Sequence, residues 1–210
     1  MTYALGEVEG LAKKAARGAG YPWGLAEEAA MATRWLCRAG GDGVGALASL
    51  LGQVDGVDMG DLRPVRMADG WRAEGPLLCP LYLGATLSDL GGPLPTRPLS
   101  LMGLVAPLLL LPFCAALCRE AGQQACLDGG GGTALTDGAG MQFADRLPEG
   151  PADVTLTRHE GPFMAHPLAT RANPDPAAWA SLERFAHRTY APATDTSRAK
   201  GAGAGLSDND

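Results

Sequence analysis

The sequence predicts an α+β fold: an N-terminal helical hairpin, then a mixed or antiparallel sheet with one or two packed helices, and an extended glycine-rich C-terminal tail. Apolar residues near the N-terminus recur at helical spacing in two successive segments. Short apolar runs in the middle of the chain are separated by Gly, Pro and Asp-Gly, which is typical of strands joined by turns. The predicted order α-α, β, α, β, β, α differs from the regular alternation of a parallel α/β fold.

We expect residues 1–54 to form the helical hairpin, residues 55–189 the α+β body and residues 190–210 the tail, within one structural domain. The chain of 210 residues is long enough for a single domain with a substantial core, and 46% of its residues are hydrophobic. Aromatic residues make up only 6%, so the core must consist mostly of Leu, Ala and Val.

The first helix is predicted in ALGEVEGLAKKAARGAG, whose apolar stripe is Leu5, Val8, Leu11, Ala12, Ala15 and Ala19. The second is predicted in WGLAEEAAMATRWLCRAGG, whose stripe is Leu25, Ala29, Thr33 and Leu36. Its first turn is acidic and its last turn basic, which complements the helix dipole. Alanine-rich faces allow close approach, so the short YPW turn predicts a helical hairpin. A third, shorter helix is expected in GALASLLGQV.

The body begins at Asp55, where the composition changes. Irregular or hairpin structure is predicted for VDMGDLRPVRMADGWRAEG, because Gly, Pro and Asp-Gly interrupt it. One short strand, or two, is predicted in GPLLCPLYLGATLSDLG, and another in LSLMGLV. A helix is predicted in PLLLLPFCAALCREAG, with one proline near its first turn, one inside it, and a glycine after its end.

The sequence of the rest of the body predicts further strands and a last helix. Strand pairs joined by turns are expected in ACLDGGGGTALTDGAGMQFAD, and ADVTLTRHEG alternates as a strand does. The last helix is predicted in DPAAWASLERFAHRTY, with a proline near its start and apolar residues on one face.

The longest uncharged stretch runs from Leu99 to Cys118 and is long enough to span a bilayer. Gly103, Pro107 and Pro112 divide it into pieces that fit a buried strand, a turn and a core helix better. We therefore expect no membrane-spanning segment.

Charge and cysteine usage narrow the classes of protein further. The net charge is −6 and the sequence contains no basic patch. An acidic chain of this kind repels a phosphate backbone, so we expect no nucleic-acid partner. The N-terminal MTYALGEVEG carries acids where a signal peptide needs a basic and then an apolar region, and the five cysteines include no CxxC pair. These features predict a cytoplasmic protein with reduced thiols, in which Cys79, Cys114 and Cys118 are core residues.

Several sequence patterns resemble known motifs but lack their context. The glycine runs GAGAG and GGGGT resemble phosphate-cradling turns, yet no predicted helix follows either, so both are interpreted as flexible connections. The segment RHEGPFMAH lacks the four-residue helical spacing of HExxH, because Gly161 and Pro162 interrupt it. No GxSxG nucleophile elbow occurs. The sequence thus predicts no metal site and indicates no cofactor.

Polar residues within apolar or small-residue segments are better candidates for ligand binding. These are Glu27, Arg34 and Trp35 on the second helix, Asp89 at the end of GATLSD and Asp137 in LTDGAG. Of these, Glu27, Arg34 and Asp137 are the predicted ligand-binding residues. The alternative interpretation is that the helix residues are solvated and that Asp137 caps a turn.

Two stretches, ARGAGYPWGLAEEAAMATRWL and RTYAPATDTSRAKGAGAGLSDND, resemble the signature stretches of an uncharacterised bacterial family, the domain of unknown function 3726. Core packing does not explain a family pattern at a polar C-terminus. The resemblance therefore implies that the tail docks on something.

In such a tail, Tyr190 would anchor the segment as it leaves the last helix. Ser197 and Arg198 would meet a carboxylate or phosphate, Arg198 through its bidentate guanidinium. Asp208 and Asp210, with the terminal carboxylate, would bind a cation, a substrate amine or a basic partner.

Two hypotheses about function follow. The first is a small-molecule-binding metabolic protein with a site between the N-terminal helices and the tail, lined by Glu27, Arg34, Asp137 and Arg198. Whether such a protein is an enzyme stays open. The alternative is a non-catalytic accessory subunit whose tail docks into a partner protein.

Overall fold

The structure is a computed structural model and describes residues 1–190. Its helices are α1 (Leu5–Gly18), α2 (Trp23–Arg38), α3 (Gly43–Val54), α4 (Pro80–Leu90), α5 (Leu111–Ala121) and α6 (Pro176–His187), with a 3-10 helix at Pro107–Leu110. Its strands are β1 (Tyr3–Ala4), β2 (Pro64–Arg66), β3 (Gly70–Ala73), β4 (Leu99–Leu104), β5 (Gln124–Gly129), β6 (Gly132–Thr136), β7 (Met141–Asp145), β8 (Ala152–His159) and β9 (Arg171–Ala172). Helices packed with one mixed, seven-stranded sheet confirm the predicted α+β class. The predicted tail, apart from Tyr190, lies outside the described residues.

The three N-terminal helices form where their periodicity predicts them. The contacting faces of α1 and α2 are largely alanine; the buried alanines are Ala12, Ala15, Ala16, Ala26, Ala29, Ala30 and Ala32. Small side chains allow the two backbones to pack closely, as expected for the hairpin. Helix α6 returns to pack against α1 and α3, so the last helix of the described chain completes the N-terminal helical layer.

Side-chain caps define where two of these helices begin. Asp42 accepts a hydrogen bond from the backbone N–H of Gly45 at 2.8 Å at the start of α3. Asp175 accepts one from Ala177 at 2.5 Å at the start of α6. Each cap satisfies a backbone donor that has no partner within its own helix.

The larger sheet has the strand order β2-β3-β4-β8-β5-β6-β7, in which the β3–β4 pair is parallel and the other pairs are antiparallel. Helix α5 packs against β5 and β6. The GGGGT segment forms the β5–β6 turn, where Gly130 and Gly131 have φ of 60° and 83°. Only glycine adopts such angles readily, so these glycines serve the hairpin.

The strand predicted in GPLLCPLYLGATLSDLG is wrong over most of its length, because residues 80–90 form α4. Pro80 occupies the first turn, where a missing N–H costs nothing, and Gly91 follows the end with φ 62°. Only Leu78 retains strand-like pairing, with a parallel bridge to Leu104. A short apolar run does not distinguish a buried strand from a buried helix by periodicity.

The two prolines of the predicted helix in PLLLLPFCAALCREAG divide it. Pro107 opens the 3-10 helix, and Pro112 lies in the first turn of α5 rather than inside the helix. Gly122 ends α5 with φ 63°, as predicted. Within residues 1–190, no helix has both the length and the apolar character needed to cross a bilayer.

After β8 the chain runs back along the edge of the sheet. The N–H of His166 donates to the carbonyl of Met141 on β7 at 2.9 Å. The N–H of Ala169 then donates to the carbonyl of Arg38 at the end of α2, at 2.7 Å. Strand β9 pairs with β1 immediately afterwards. This route places residues 169–175 beside the α2–α3 connection.

Candidate functional site

A cavity of about 830 Å³ lies where the α2–α3 connection, the loop after β7 and residues 169–175 meet. Its apolar lining residues are Cys37, Ala46, Ala106, Leu108, Phe143, Leu147, Pro148, Ala169, Ala172 and Pro174. Its charged lining residues are Asp42, Asp145, Arg146, Glu149, Arg171 and Asp175. An apolar lining with a few charged groups is the usual composition of a small-molecule site, and the volume falls within the usual range of about 300–1,000 Å³.

The loop after β7 is fastened to α3 by hydrogen bonds. The carbonyl oxygen of Glu149 accepts from Ser49 Oγ at 3.0 Å and from Gln53 Nε2 at 2.9 Å. The guanidinium of Arg146 pairs with the Glu149 carboxylate at 2.9 Å and lies 3.8 Å from that of Asp42. These contacts place one cation and two carboxylates on the same side of the cavity.

Another part of the lining, which includes Arg171, is held by the short β1–β9 pairing. Arg171 lies opposite Ala4 in this register, and its guanidinium donates to the carbonyl of Thr2 at 3.0 Å. Asp175, four residues later, caps α6. Both charged residues therefore belong to segments whose backbone is anchored.

One lining residue has an unusual backbone conformation. Ala106 has φ 42° and ψ 61°, and it is the one non-glycine residue with positive φ within residues 1–190. This left-handed conformation costs a residue with a Cβ about 1–2 kcal/mol. Backbone strain of this kind is concentrated at binding and catalytic sites in proteins.

The three polar residues predicted in the body and helices lie outside this cavity. Glu27 accepts from Lys13 Nζ at 2.7 Å, and Arg34 donates to Glu9 at 2.6 Å, so both link α2 to α1 at the surface.

Asp137 lies in the turn after β6, apart from the α1–α2 surface. Its carboxylate accepts from the N–H groups of Ala139 and Gly140 at 2.9 Å each. The structure thus brings Glu27 and Arg34 to one helix pair and leaves Asp137 in a different element.

Of the predicted tail residues, Tyr190 alone is described. It is exposed, and its ring packs edge-on against His187 with centroids 5.1 Å apart. Ser197, Arg198, Asp208 and Asp210 lie outside the described residues.

The charged lining residues were missed by the sequence analysis. Asp42 follows two glycines and precedes an apolar run, so its capping position is visible in the sequence. For Arg146 and Arg171 no local pattern signals a shared site, because they meet the α2–α3 connection only through the fold.

Buried thiols occupy the core, as predicted. Cys79 lies 3.3 Å from the hydroxyl of Tyr21, both are buried, and burial raises the pKa of each. Burial likewise raises the pKa of Cys118 to about 11, with Asp137 contributing. These thiols stay protonated at neutral pH and act as small apolar residues. Within residues 1–190, no group of three or more His, Cys, Asp or Glu side chains is placed to hold a metal ion.

Comparison with known proteins gives a family match for the N-terminal part of the chain. Residues 3–75 match the model of the family described as "Protein of unknown function (DUF3726)". The match confirms the resemblance predicted from ARGAGYPWGLAEEAAMATRWL. The matched residues contain α1 to α3 and the β2–β3 hairpin, and therefore Asp42 and the α2–α3 connection that lines the cavity. No curated protein and no solved structure matches the chain.

Proposed function

We propose that this protein binds a small organic molecule in the cavity between the α2–α3 connection and residues 169–175. The observation that carries the proposal is the cavity itself, about 830 Å³ with an apolar floor and a charged rim. The strained Ala106 on its lining supports the same assignment.

The charges of the rim indicate the chemistry of the ligand. Four carboxylates and two guanidinium groups line the cavity, and one guanidinium, that of Arg146, already pairs with Glu149. A ligand with both an ammonium and a carboxylate group would complement this rim, its ammonium on the carboxylates and its carboxylate on Arg171. The proposed ligand is a zwitterion, such as an apolar amino acid, whose apolar side chain packs on the apolar lining residues.

The proposal is tested by thermal-shift measurements on the full-length protein with a panel of apolar amino acids, the corresponding amines and the corresponding carboxylic acids. We expect zwitterions to raise the melting temperature and Ala169→Trp, which adds a large side chain at a lining position, to abolish that rise. Thr170→Trp is the matched control, because Thr170 is the adjacent, exposed residue and does not line the cavity.

Two outcomes contradict this assignment. One is a panel in which no zwitterion binds saturably in calorimetry. The other is binding that Ala169→Trp leaves intact.

Arg171→Gln should weaken the binding of zwitterions and carboxylic acids but not that of amines. Arg158→Gln is its control, because Arg158 is exposed and lies outside the lining.

A further inference from the structure

A second cavity, of about 370 Å³, lies between the β2–β3 hairpin and the loop that follows α4. Its large apolar lining residues are Met67, Trp71, Leu87, Leu90, Leu94, Leu99 and Leu117. It shares no lining residue with the larger cavity, so its properties do not depend on the function proposed above.

The only charge that lines the second cavity is positive. Arg66 is its one charged lining residue, and no acidic residue lines it. Asp69 and Asp89, near lining residues in sequence, are exposed and outside the lining. Within residues 1–190, Arg66 forms no ion pair. Its guanidinium donors are therefore free to bind an anion.

The position of Arg66 is set by the hairpin. It lies directly opposite Trp71 in the antiparallel register, and its guanidinium carbon is 5.5 Å from the indole centroid. A cation–π contact at this distance holds the guanidinium beside the cavity. Trp71 is only 7% exposed, so its ring is a fixed wall.

The facing loop is also held by the fold. Gly91 and Gly92 have φ of 62° and 81°, which allows the chain to turn sharply after α4. The N–H of Leu94 then donates to Gln123 Oε1 at 3.0 Å. Contacts within the protein thus hold both walls of the cavity.

We propose that this second cavity binds a small organic carboxylate with an apolar chain. The chain would lie among the leucines and Trp71, and the carboxylate would pair with the Arg66 guanidinium, whose planar donors match a carboxylate. A cationic amphiphile of the same length would meet the same apolar walls but would be repelled by Arg66.

The test is isothermal titration calorimetry of the full-length protein with octanoate, octan-1-ol and octylammonium, all below their aggregation concentrations. We expect saturable octanoate binding that is tighter than octylammonium binding. Arg66→Gln should weaken octanoate about tenfold, the value of one charge-assisted hydrogen bond, and leave octanol unchanged. Arg72→Gln is the matched control, because Arg72 lies on the same hairpin, is exposed and donates to the carbonyl of Ala73.

A second variant tests the position of the chain. Trp71→Phe should weaken both octanoate and octanol, whereas Trp23→Phe, on an exposed tryptophan outside the cavity, should weaken neither. Ala169→Trp, which tests the larger cavity, should leave octanoate binding intact.

The proposal is overturned if octanoate does not bind saturably, or if octylammonium binds as tightly. It is equally overturned if Arg66→Gln retains wild-type affinity for octanoate, or if it weakens octanol as much as octanoate. In the last case the substitution would have disturbed the cavity rather than removed a charge partner.

Discussion

Asp55 and Arg188 form a two-pronged ion pair between the end of α3 and the end of α6. The two guanidinium nitrogens lie 2.6 Å and 2.8 Å from the two carboxylate oxygens. The hydrogen bonds from Arg188 hold the pKa of Asp55 below its ordinary value of 3.8, and they raise the pKa of Arg188. The pair therefore stabilises the fold only while Asp55 is ionised.

At this residue scale we predict that Asp55→Asn lowers the melting temperature slightly at neutral pH, because both partners are exposed and well solvated. A carboxyl with a lowered folded-state pKa adds stability above its unfolded pKa and loses it as pH falls through the folded pKa. The difference from wild type should therefore vanish in strong acid. Melting curves across the acid range measure it.

The matched control is Asp61→Asn, which makes the same charge change at an exposed residue that forms no ion pair within residues 1–190. A wild-type difference for Asp55→Asn that persists unchanged into strong acid would contradict the assignment to the ion pair.

At the scale of elements, the contact between α1 and α6 depends on a glycine. A Cβ added at Gly18 would overlap the backbone carbonyl of Phe185, so the two helices approach more closely there than alanine allows. Gly10, on the same helix, has no heavy atom within 4 Å of the equivalent position. Replacing each glycine by alanine therefore measures two different effects on stability: helix packing at Gly18 and helix propensity at Gly10.

We predict that Gly18→Ala destabilises the protein by about 1–3 kcal/mol, because α1 and α6 must move apart or tilt. Gly10→Ala should stabilise it by about 0.5–1 kcal/mol through helix propensity alone. Urea unfolding of both variants measures the two free energies. A Gly18→Ala variant as stable as Gly10→Ala would show that the helices do not pack at this distance.

In helix α4, the secondary structure follows from tertiary packing more than from sequence periodicity. Its apolar residues fit a short buried strand as well as a helix, although Pro80 and Gly91 bracket it with helical start and stop signals. The helix is selected by α5, because Gly84 faces the ring of Phe113 so closely that a Cβ would collide with it. That contact joins residues almost thirty positions apart, and no local pattern reports it.

Over the whole molecule, one of the five cysteines is partly exposed to solvent and the other four are buried. Cys37, Cys79, Cys114 and Cys118 are buried, whereas Cys126 on β5 is half-buried. Burial raises the pKa of all five, that of Cys118 to about 11. At about pH 8 little thiolate is therefore present in the folded state.

We predict that an aromatic disulfide reagent at about pH 8 modifies Cys126 first, and Cys79, Cys114 and Cys118, which are fully buried and line neither cavity, only as fast as the fold opens. Cys126→Ser should remove the early phase and leave the slow phase unchanged. All five should react at once in guanidinium chloride. Rapid modification of Cys79, Cys114 or Cys118 in the native protein would contradict the burial of the core cysteines.

The sequence alone determined the α+β class, the N-terminal hairpin, the closing helix and most of the strands, because helical and strand periodicity is set by neighbouring residues. It also determined that Cys79, Cys114 and Cys118 are core residues, since each lies in an apolar run. The tertiary structure decided between strand and helix for residues 80–90, whose local signals fit both, and it alone decided that Asp42, Arg146 and Arg171 line one cavity. Asp42 and Arg171 lie about 130 positions apart in the chain, and only the return of the chain along β7 and onto α2 brings their segments together.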